Sequence, residues 1–363
     1  MSWKSIICRA ENLLGGRCPA VDFSLLGKSE SSLFIERIRS LSSMFDHKIT
    51  SVIYTELENS PHDNYLTFRN WTNVFSTKKS APRLPSSMVI PLVGQCVYGR
   101  GSNSLQLHRK MGEIFAVINL AIALHRSVVD LSDPHFQHHQ RNNCAWVKNM
   151  ESGNKFAVLA GDILLANSSV ELASFRIPKV VELISGAIAE AVCAEFTDLA
   201  TDSTQLLTDP SSQWLDHAKL RHGALLGEFC AAASLLNSPS TKNLGRIHKI
   251  AREFGVNWAS LSRLLSELDY IKEIKIDNPR PPKTLTSLGF TDSGLPEPTL
   301  ADTLLVASEA TSSTIYDQYK SMASTLAWQL GDSLWRLLEE SKPNSDVHSL
   351  AKDSVDLLVK EAC

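Results

Sequence analysis

The chain has 363 residues, a formal net charge of −3, and 43% apolar and 21% charged residues. This composition is that of a globular protein with a sizeable core, and the nearly balanced charge gives no basic field that would attract nucleic acid. No uncharged apolar run reaches the roughly 18 residues needed to cross a bilayer, so neither a transmembrane segment nor nucleic-acid binding is expected.

The first 87 residues divide into two parts by their apolar pattern. Residues 1–48 have apolar side chains at helical spacing and predict the N-terminal helices of a bundle. Their basic residues also fit a mitochondrial presequence, but Glu11 interrupts that pattern, so a first helix of the fold is the preferred interpretation. Residues 49–87 have no apolar period and many Pro and Ser residues, which predicts an irregular insertion or a long loop.

The pattern from residue 88 to residue 363 is helical almost throughout. Residues 111–131 are apolar nearly all round, which is typical of a helix inside a bundle. Two helices of similar character are predicted at 156–172 and 178–199, the second with Pro in its first turn. The following helices are predicted at 213–236, 241–254, 257–271, 311–340 and 345–362, with a break at Gly255.

Alternating apolar and polar runs, the pattern of a half-buried strand, are nearly absent. The sequence therefore predicts an all-α protein, a bundle of ten or more helices, with residues 88–363 as its main domain.

A polar loop after the first long helix carries His135, His138, His139 and Cys144, residue types that bind zinc. Their spacing supplies no second ligand pair of the usual kind, so a metal site is not predicted there. His125 ends an apolar helical face, and we expect it to be hydrogen-bonded within the fold rather than to act as an acid or base.

Four landmarks in a fixed order resemble a known family. GNKFAVLAGDILLA (153–166) is similar to the GNKxAxLxGDxLLA helix of the trans-polyprenyl diphosphate synthases, all-α enzymes that join isopentenyl diphosphate to an allylic diphosphate. HRSVVDLSD stands where that family has HDDxxDxxD, HGALLGEF where it has KTAxL, and FGVNWASLSRLLSELDYI where it has YGxxLGxAFQxxDDxxD. The resemblance covers about residues 88–271 and implies an isoprenoid synthase-type helical bundle, in which Asp162 is expected to pair across helices.

The chain departs from this family where the catalytic members bind metal. Their aspartates, on two helices, hold Mg²⁺ ions that bridge the allylic diphosphate and stabilise its departure. Here the aspartate positions of the first motif hold Arg126, Ser127 and Asp130, and those of the second hold Ser266, Glu267 and Tyr270. An arginine at the first position repels Mg²⁺ and can pair with the aspartate four residues later. The comparison implies that this chain has neither catalytic residues nor a bound metal.

The basic residues that bind diphosphate in the family are replaced as well. SSMVIP (86–91) stands at the place of GKRxRP, and His222 replaces the Lys of KTA. Lys155 and His222 remain candidates for residual contact with a diphosphate. For His222, whose ordinary pKa is near 6.5, a packed or partner-facing position is the preferred interpretation.

One branch of the family shares this loss of aspartates. The HR pair, the intact GNK/GD helix and HGALL resemble the second, aspartate-poor subunit of heteromeric decaprenyl or solanesyl diphosphate synthases. This resemblance implies a non-catalytic subunit that stabilises or regulates a catalytic one, in a mitochondrial heteromer, expected to be a heterotetramer, that makes the ubiquinone side chain. Mg²⁺ is then expected on the catalytic partner.

The same resemblance predicts where the subunits meet. The family dimerises through the two helices predicted at 156–172 and 178–199, although a fully buried helix pair in a monomer would give the same apolar pattern. The residues expected at the interface are Leu159, Leu164, Leu165, Val181, Ile184, Ile188 and Val192.

Two other functions are compatible with the sequence. In the first, Arg126, Lys155 and His222 bind a diphosphate directly, and the chain is an enzyme with magnesium-independent chemistry, since charge-assisted hydrogen bonds to phosphate are strong. In the second, the chain is a helical scaffold that binds an isoprenoid between its helices.

Overall fold

All regular elements are helices in the part of the chain that the computed structural model describes, which confirms the all-α prediction. Described are residues 2–14, 83–98, 102–126, 128, 144–194, 210–236, 244–277, 312–341 and 343–362. Most of the predicted insertion at 49–87, the loop histidines and two residues of the first aspartate motif, Ser127 and Asp130, lie outside them. None of the described helices is both long and apolar enough to cross a membrane.

The described helices are numbered in chain order. They are α1 (Trp3–Leu13), α2 (Ser86–Tyr98), α3 (Ser102–Arg126), α4 (Cys144–Ser174), α5 (Pro178–Cys193), α6 (Pro210–Ala218), α7 (Ala224–Ala233), α8 (Leu244–Asp277), α9 (Ser312–Ser341) and α10 (Ser345–Ala362). A π-helical turn, Lys219–Gly223, joins α6 to α7.

Helix α7 lies at the centre of the bundle. Nine of its ten residues are buried, and it packs against α2, α3, α5 and α8. Most of its side chains are small, so its neighbours come close, while Phe229 fills the space towards α3 and meets Phe115 edge to face at 5.3 Å between ring centroids. The core is therefore centred on the helix that begins within the HGALL landmark.

The break predicted at Gly255 is wrong, because α8 continues through it. A Cβ on Gly255 would lie 2.8 Å from the Cα of Gly227 on α7, and a Cβ on Gly227 would lie 2.6 Å from a methyl group of Val256. Each glycine leaves room for the other helix. Gly255 thus marks the crossing of α7 and α8 rather than the end of a helix.

The first and the last described helices pack together. Helix α1 packs against α10, with Ile6 and Ala10 fully buried, and Arg9 forms an ion pair with Asp353. The predicted first helix is therefore an integral element of the fold.

Candidate functional site

The first aspartate motif begins at the C-terminal end of α3. The Nε2 atom of His125 lies 3.2 Å from the carbonyl oxygen of Val158, to which it donates, and 3.3 Å from a carboxylate oxygen of Asp162. Both partners are on α4. His125 is therefore a hydrogen-bonded residue of the fold, and Asp162 pairs across helices, as the sequence indicated.

Gly161 makes room for this histidine. A Cβ at that position would lie 2.2 Å from Nε2 of His125 and 3.1 Å from the carbonyl oxygen of Ala121. The GD pair of the GNK/GD helix thus has a packing role, because the glycine admits the imidazole ring and the aspartate pairs with it. This role requires no diphosphate and no metal.

Arg126, the last residue of α3, is buried. A buried basic side chain therefore lies where the family has its first Mg²⁺-binding aspartate. This end of α3 does not fit a divalent metal ion. The proposed pairing of Arg126 with Asp130 stays a prediction, because Asp130 lies outside the described residues.

The second aspartate motif lies on α8, and its remaining acid, Glu267, is hydrogen-bonded through both carboxylate oxygens. Glu267 is only 5% exposed; its Oε1 accepts a hydrogen bond from Nε of Arg263 at 2.9 Å, and its Oε2 accepts one from the hydroxyl of Tyr319 at 2.8 Å. Ser266 is exposed, and its hydroxyl donates to the carbonyl oxygen of Ser262 at 2.9 Å. Tyr270 continues the same helix.

These contacts do not fit a magnesium site. Mg²⁺ requires near-octahedral oxygen ligands, of which carboxylates are the usual protein contribution, and both oxygens of Glu267 are bonded to groups of the core. Among the residues that the structure describes, no group of three or more His, Cys, Asp or Glu side chains is placed to hold a metal ion.

The candidate diphosphate contacts lie on different elements. Lys155 is exposed on α4, and His222 is half-buried in the π-helical turn, beside the buried Arg221. The π-helical turn itself was not predicted, since no sequence signal distinguishes it from an α-helix. Such turns often occur at functional sites, and contact of His222 or Lys155 with a diphosphate stays a prediction.

The predicted interface residues divide by burial. Leu164 and Ile184 are buried in this chain's own core, so they cannot contact a partner and are removed from the predicted surface. Those partly buried against the core are Leu165, Val181 and Ile188, and those exposed are Leu159 and Val192.

Helix α4 exposes more apolar side chains than we predicted. Val158, Ile163 and Val170 are exposed together with Leu159, and these four residues are called the α4 face below. Leu159, Ile163, Ala166 and Val170 follow one another at intervals of four, three and four residues, the spacing of a helix that packs along another helix. This spacing is the sequence signal that could have identified the α4 face.

A buried polar cluster around His108, which was not predicted from the sequence, lies in the core. His108 of α3 is fully buried; its Nε2 donates to the carbonyl oxygen of Ala233 at 3.2 Å, and its Nδ1 accepts from Nε2 of Gln95 at 3.1 Å. Burial lowers the pKa of His108 to about 4, against the opposing effect of the Ala233 carbonyl. The histidine is therefore neutral and structural.

Comparison with known proteins finds a family match for part of this chain. Residues 86–259 match the polyprenyl synthetase family. The chain is 27% identical over 282 residues to the all trans-polyprenyl-diphosphate synthase PDSS2 of Homo sapiens, a match that covers 76% of this chain and 65% of that protein. It is 30% identical over 176 residues to a probable mitochondrial hexaprenyl pyrophosphate synthase of Neurospora crassa, covering 47% of this chain and 37% of that one. The chain thus spans less than two thirds of the length of these relatives.

The fold agrees with this assignment. The crystal structure of a geranylgeranyl pyrophosphate synthase from Corynebacterium glutamicum superposes with a TM-score of 0.52 at 16% identity, covering 99% of both chains. At that identity the superposition establishes the shared helical fold alone. Residues 86–259 of this chain are thus a domain that matches the polyprenyl synthetase family.

Proposed function

We propose that this chain is a non-catalytic subunit of a heteromeric all-trans-polyprenyl diphosphate synthase, of the decaprenyl type, that makes the ubiquinone side chain in mitochondria. The observation that carries the proposal is that both carboxylate oxygens of Glu267 already accept hydrogen bonds from side chains of this chain. The one acid kept in frame in the second motif holds Arg263 and Tyr319 in the core, while Arg126 replaces an acid in the first. The names of the relatives support the substrate class and the compartment.

The catalytic subunit in this proposal carries the intact aspartate motifs and the Mg²⁺ ions, and it binds the α4 face. Four exposed apolar side chains on one helix are an unfavourable surface in water, and their burial against a second helix would be favourable by about 25 cal/mol for each Å² covered. A complex of two copies of each subunit, a heterotetramer, is the assembly we expect.

Co-expression with a catalytic subunit of the same organism tests the contact. Leu159→Asp combined with Val170→Asp places two charges on the α4 face and is expected to abolish co-purification. The matched control is Leu220→Asp, because Leu220 is 43% exposed, close to the 51% of Leu159, but lies on the π-helical turn. Equal retention of the partner by both variants, or synthase activity that is unchanged without this chain, would show that the proposal is wrong.

The loss of catalysis has its own test. Restoring two aspartates in the first motif, with Arg126→Asp and Ser127→Asp, is expected to leave the isolated chain without measurable synthase activity, because the second motif and the basic diphosphate-binding residues are still missing. Activity is measured with isopentenyl and allylic diphosphates in the presence and absence of Mg²⁺. Turnover by the double variant alone would mean that the site is more complete than we propose, and turnover by the unmodified chain without Mg²⁺ would support the magnesium-independent alternative.

A further inference from the structure

Two exposed tryptophans lie on one face of α9. Trp328 is 71% exposed and Trp335 is 61% exposed, and a separation of seven residues places them two turns apart on the same side of the helix. Helix α9 packs against α2, α8 and α10 with its other faces, whereas α4 packs against α3 and α5. The tryptophans therefore form a surface on a different element from the α4 face.

Gly331 lies between the two tryptophans. A Cβ at this position would have no atom within 4 Å, so the chain's own packing does not require a glycine. Glycine in the middle of a helix disfavours the helix. Its position between two exposed tryptophans fits a surface that another backbone approaches closely.

The same face continues with Ser324 on one side and Glu339 on the other, both exposed. We call Ser324, Trp328, Gly331, Trp335 and Glu339 the α9 stripe. Beside the stripe, Nε of Arg336 lies 2.8 Å from Asp332 and its Nη2 lies 2.7 Å from Glu253. Asp332 is thus balanced by a cation of its own chain.

We propose that the α9 stripe binds the α9 stripe of a second copy of this chain, with the two helices antiparallel about a twofold axis. The residue types along the stripe are arranged so that this contact is self-complementary, as a twofold interface requires. In an antiparallel pair centred between Gly331 and Asp332, Trp328 faces Trp335 of the second copy, and the two glycines lie at the crossing point.

The outer residues of the stripe fit the same arrangement. Ser324, whose hydroxyl donates to the carbonyl oxygen of Lys320 in its own helix at 2.9 Å, faces Glu339 of the second copy, so a neutral side chain rather than a like charge lies opposite each carboxylate. Each Asp332 near the axis brings its own Arg336. One turn beyond Ser324 the same face exposes Lys320, so the face carries one cation and one acid and has no net positive charge to attract an anionic membrane. Offset or edge-to-face packing of the indole rings supplies the apolar centre of the contact.

This inference goes beyond the proposed function and does not depend on it, since the contact requires no catalytic subunit. If both contacts exist, the α9 stripe joins two copies of this chain, and each α4 face holds one catalytic subunit.

Sedimentation of the purified full-length chain measures the self-association. We expect Trp328→Ala combined with Trp335→Ala to weaken it by about 100-fold or more, since tryptophans commonly dominate such contacts. Leu220→Ala, which removes an exposed apolar side chain elsewhere, is expected to leave it unchanged. Because both tryptophans are exposed, thermal unfolding should show that the double variant stays folded. An unmodified chain that is monomeric at tens of micromolar, or a double variant that associates as strongly as the unmodified chain, overturns the proposal.

A cross-link locates the contact independently of other surfaces. In Gly331→Cys, oxidation by copper phenanthroline is expected to join two copies through residue 331, identified by mass spectrometry of the linked peptide. Lys352→Cys, at an exposed position on α10, is the control expected to give no such link. Charge variants of the α4 face should not change the cross-link, so failure of the catalytic-subunit contact and failure of this contact are distinguishable. The proposal is overturned if the 331–331 link is absent and tryptophan emission shifts on addition of phosphatidylcholine vesicles. That result would mean that the α9 stripe binds a membrane rather than a second copy.

Discussion

Glu267 lies at an acidic position of the second aspartate motif, but both of its carboxylate oxygens accept hydrogen bonds from side chains of this chain. We predict that Glu267→Ala lowers the free energy of unfolding by about 3 kcal/mol, because the change leaves the largely buried guanidinium of Arg263 and the buried Tyr319 hydroxyl without this acceptor. Urea denaturation measures the loss. Ser266→Ala, at the neighbouring exposed position of the same motif, should change stability by no more than about 0.5 kcal/mol. A similar loss in both variants would contradict the structural role of Glu267.

His108 gives the fold a predicted pH dependence. Its pKa falls from 6.5 to about 4 on folding, so between these values the unfolded chain binds more protons than the folded chain. The stability contributed by the neutral imidazole is therefore complete above pH 6.5 and is lost as the pH falls towards 4, a change on the order of 3 kcal/mol.

Urea denaturation between pH 7 and pH 4 tests this dependence. His108→Gln removes the titrating group, and the difference in unfolding free energy between the unmodified chain and this variant should shrink as the pH decreases. A difference that stays constant over this range would mean that His108 does not titrate as its burial requires.

At the scale of elements, the helices were predictable because their apolar residues recur with a helical period. The predicted helix at 345–362 coincides with α10, and that at 311–340 lies within one residue of α9. Gly255 was misassigned because local propensity disfavours glycine in a helix, whereas the need for it comes from Gly227 on another helix. Similarly, the apolar pattern of α4 and α5 could not separate Leu164, which is buried, from Leu159, which is exposed, because it shows no single face.

The crossing of α7 and α8 gives a prediction at this scale. Gly255→Ala places a methyl group 2.8 Å from backbone atoms of α7, which cannot move away as a flexible side chain could. We expect a loss of about 1 to 3 kcal/mol in unfolding free energy as the two helices separate. Gly245→Ala, on the same helix but with no atom within 4 Å of the added methyl group, is the matched control and should be neutral or stabilising by up to about 1 kcal/mol. Thermal and urea unfolding of both variants measure the contrast.

For the whole molecule, the fold and the site follow from the sequence to different extents. The order of the GNK/GD, HGALL and FGVNWASL landmarks was sufficient for the architecture. The GNK/GD landmark lies on α4, which packs against α3 and α5, HGALL leads into α7, and FGVNWASL lies on α8, which packs against α7. That the two motifs do not fit Mg²⁺ stays a prediction, which rests on Arg126 and Ser266 at positions where the family has acids. The hydrogen bond from Tyr319 to Glu267 could not be predicted, because Tyr319 lies on another helix, 52 residues further along the chain. Surfaces such as the α9 stripe need the packed structure to show which tryptophans remain outside.

Helix α1 packs against α10 and covers part of the core. Trp3, Ile6, Ala10 and Leu14 are buried, and the indole nitrogen of Trp3 donates to Glu361 of α10. Ile6→Ala should lower the unfolding free energy by about 3 kcal/mol, because it opens a cavity at a fully buried position, whereas Cys8→Ala, at an exposed position two residues later, should have little effect. Urea denaturation compares the two, and limited proteolysis should show α10 becoming accessible only in the first. If Ile6→Ala is as stable as the unmodified chain, α1 is not the element that covers α10. If Ile6→Ala is destabilised, cleavage of a presequence that includes Trp3–Leu13 would remove part of the folded core.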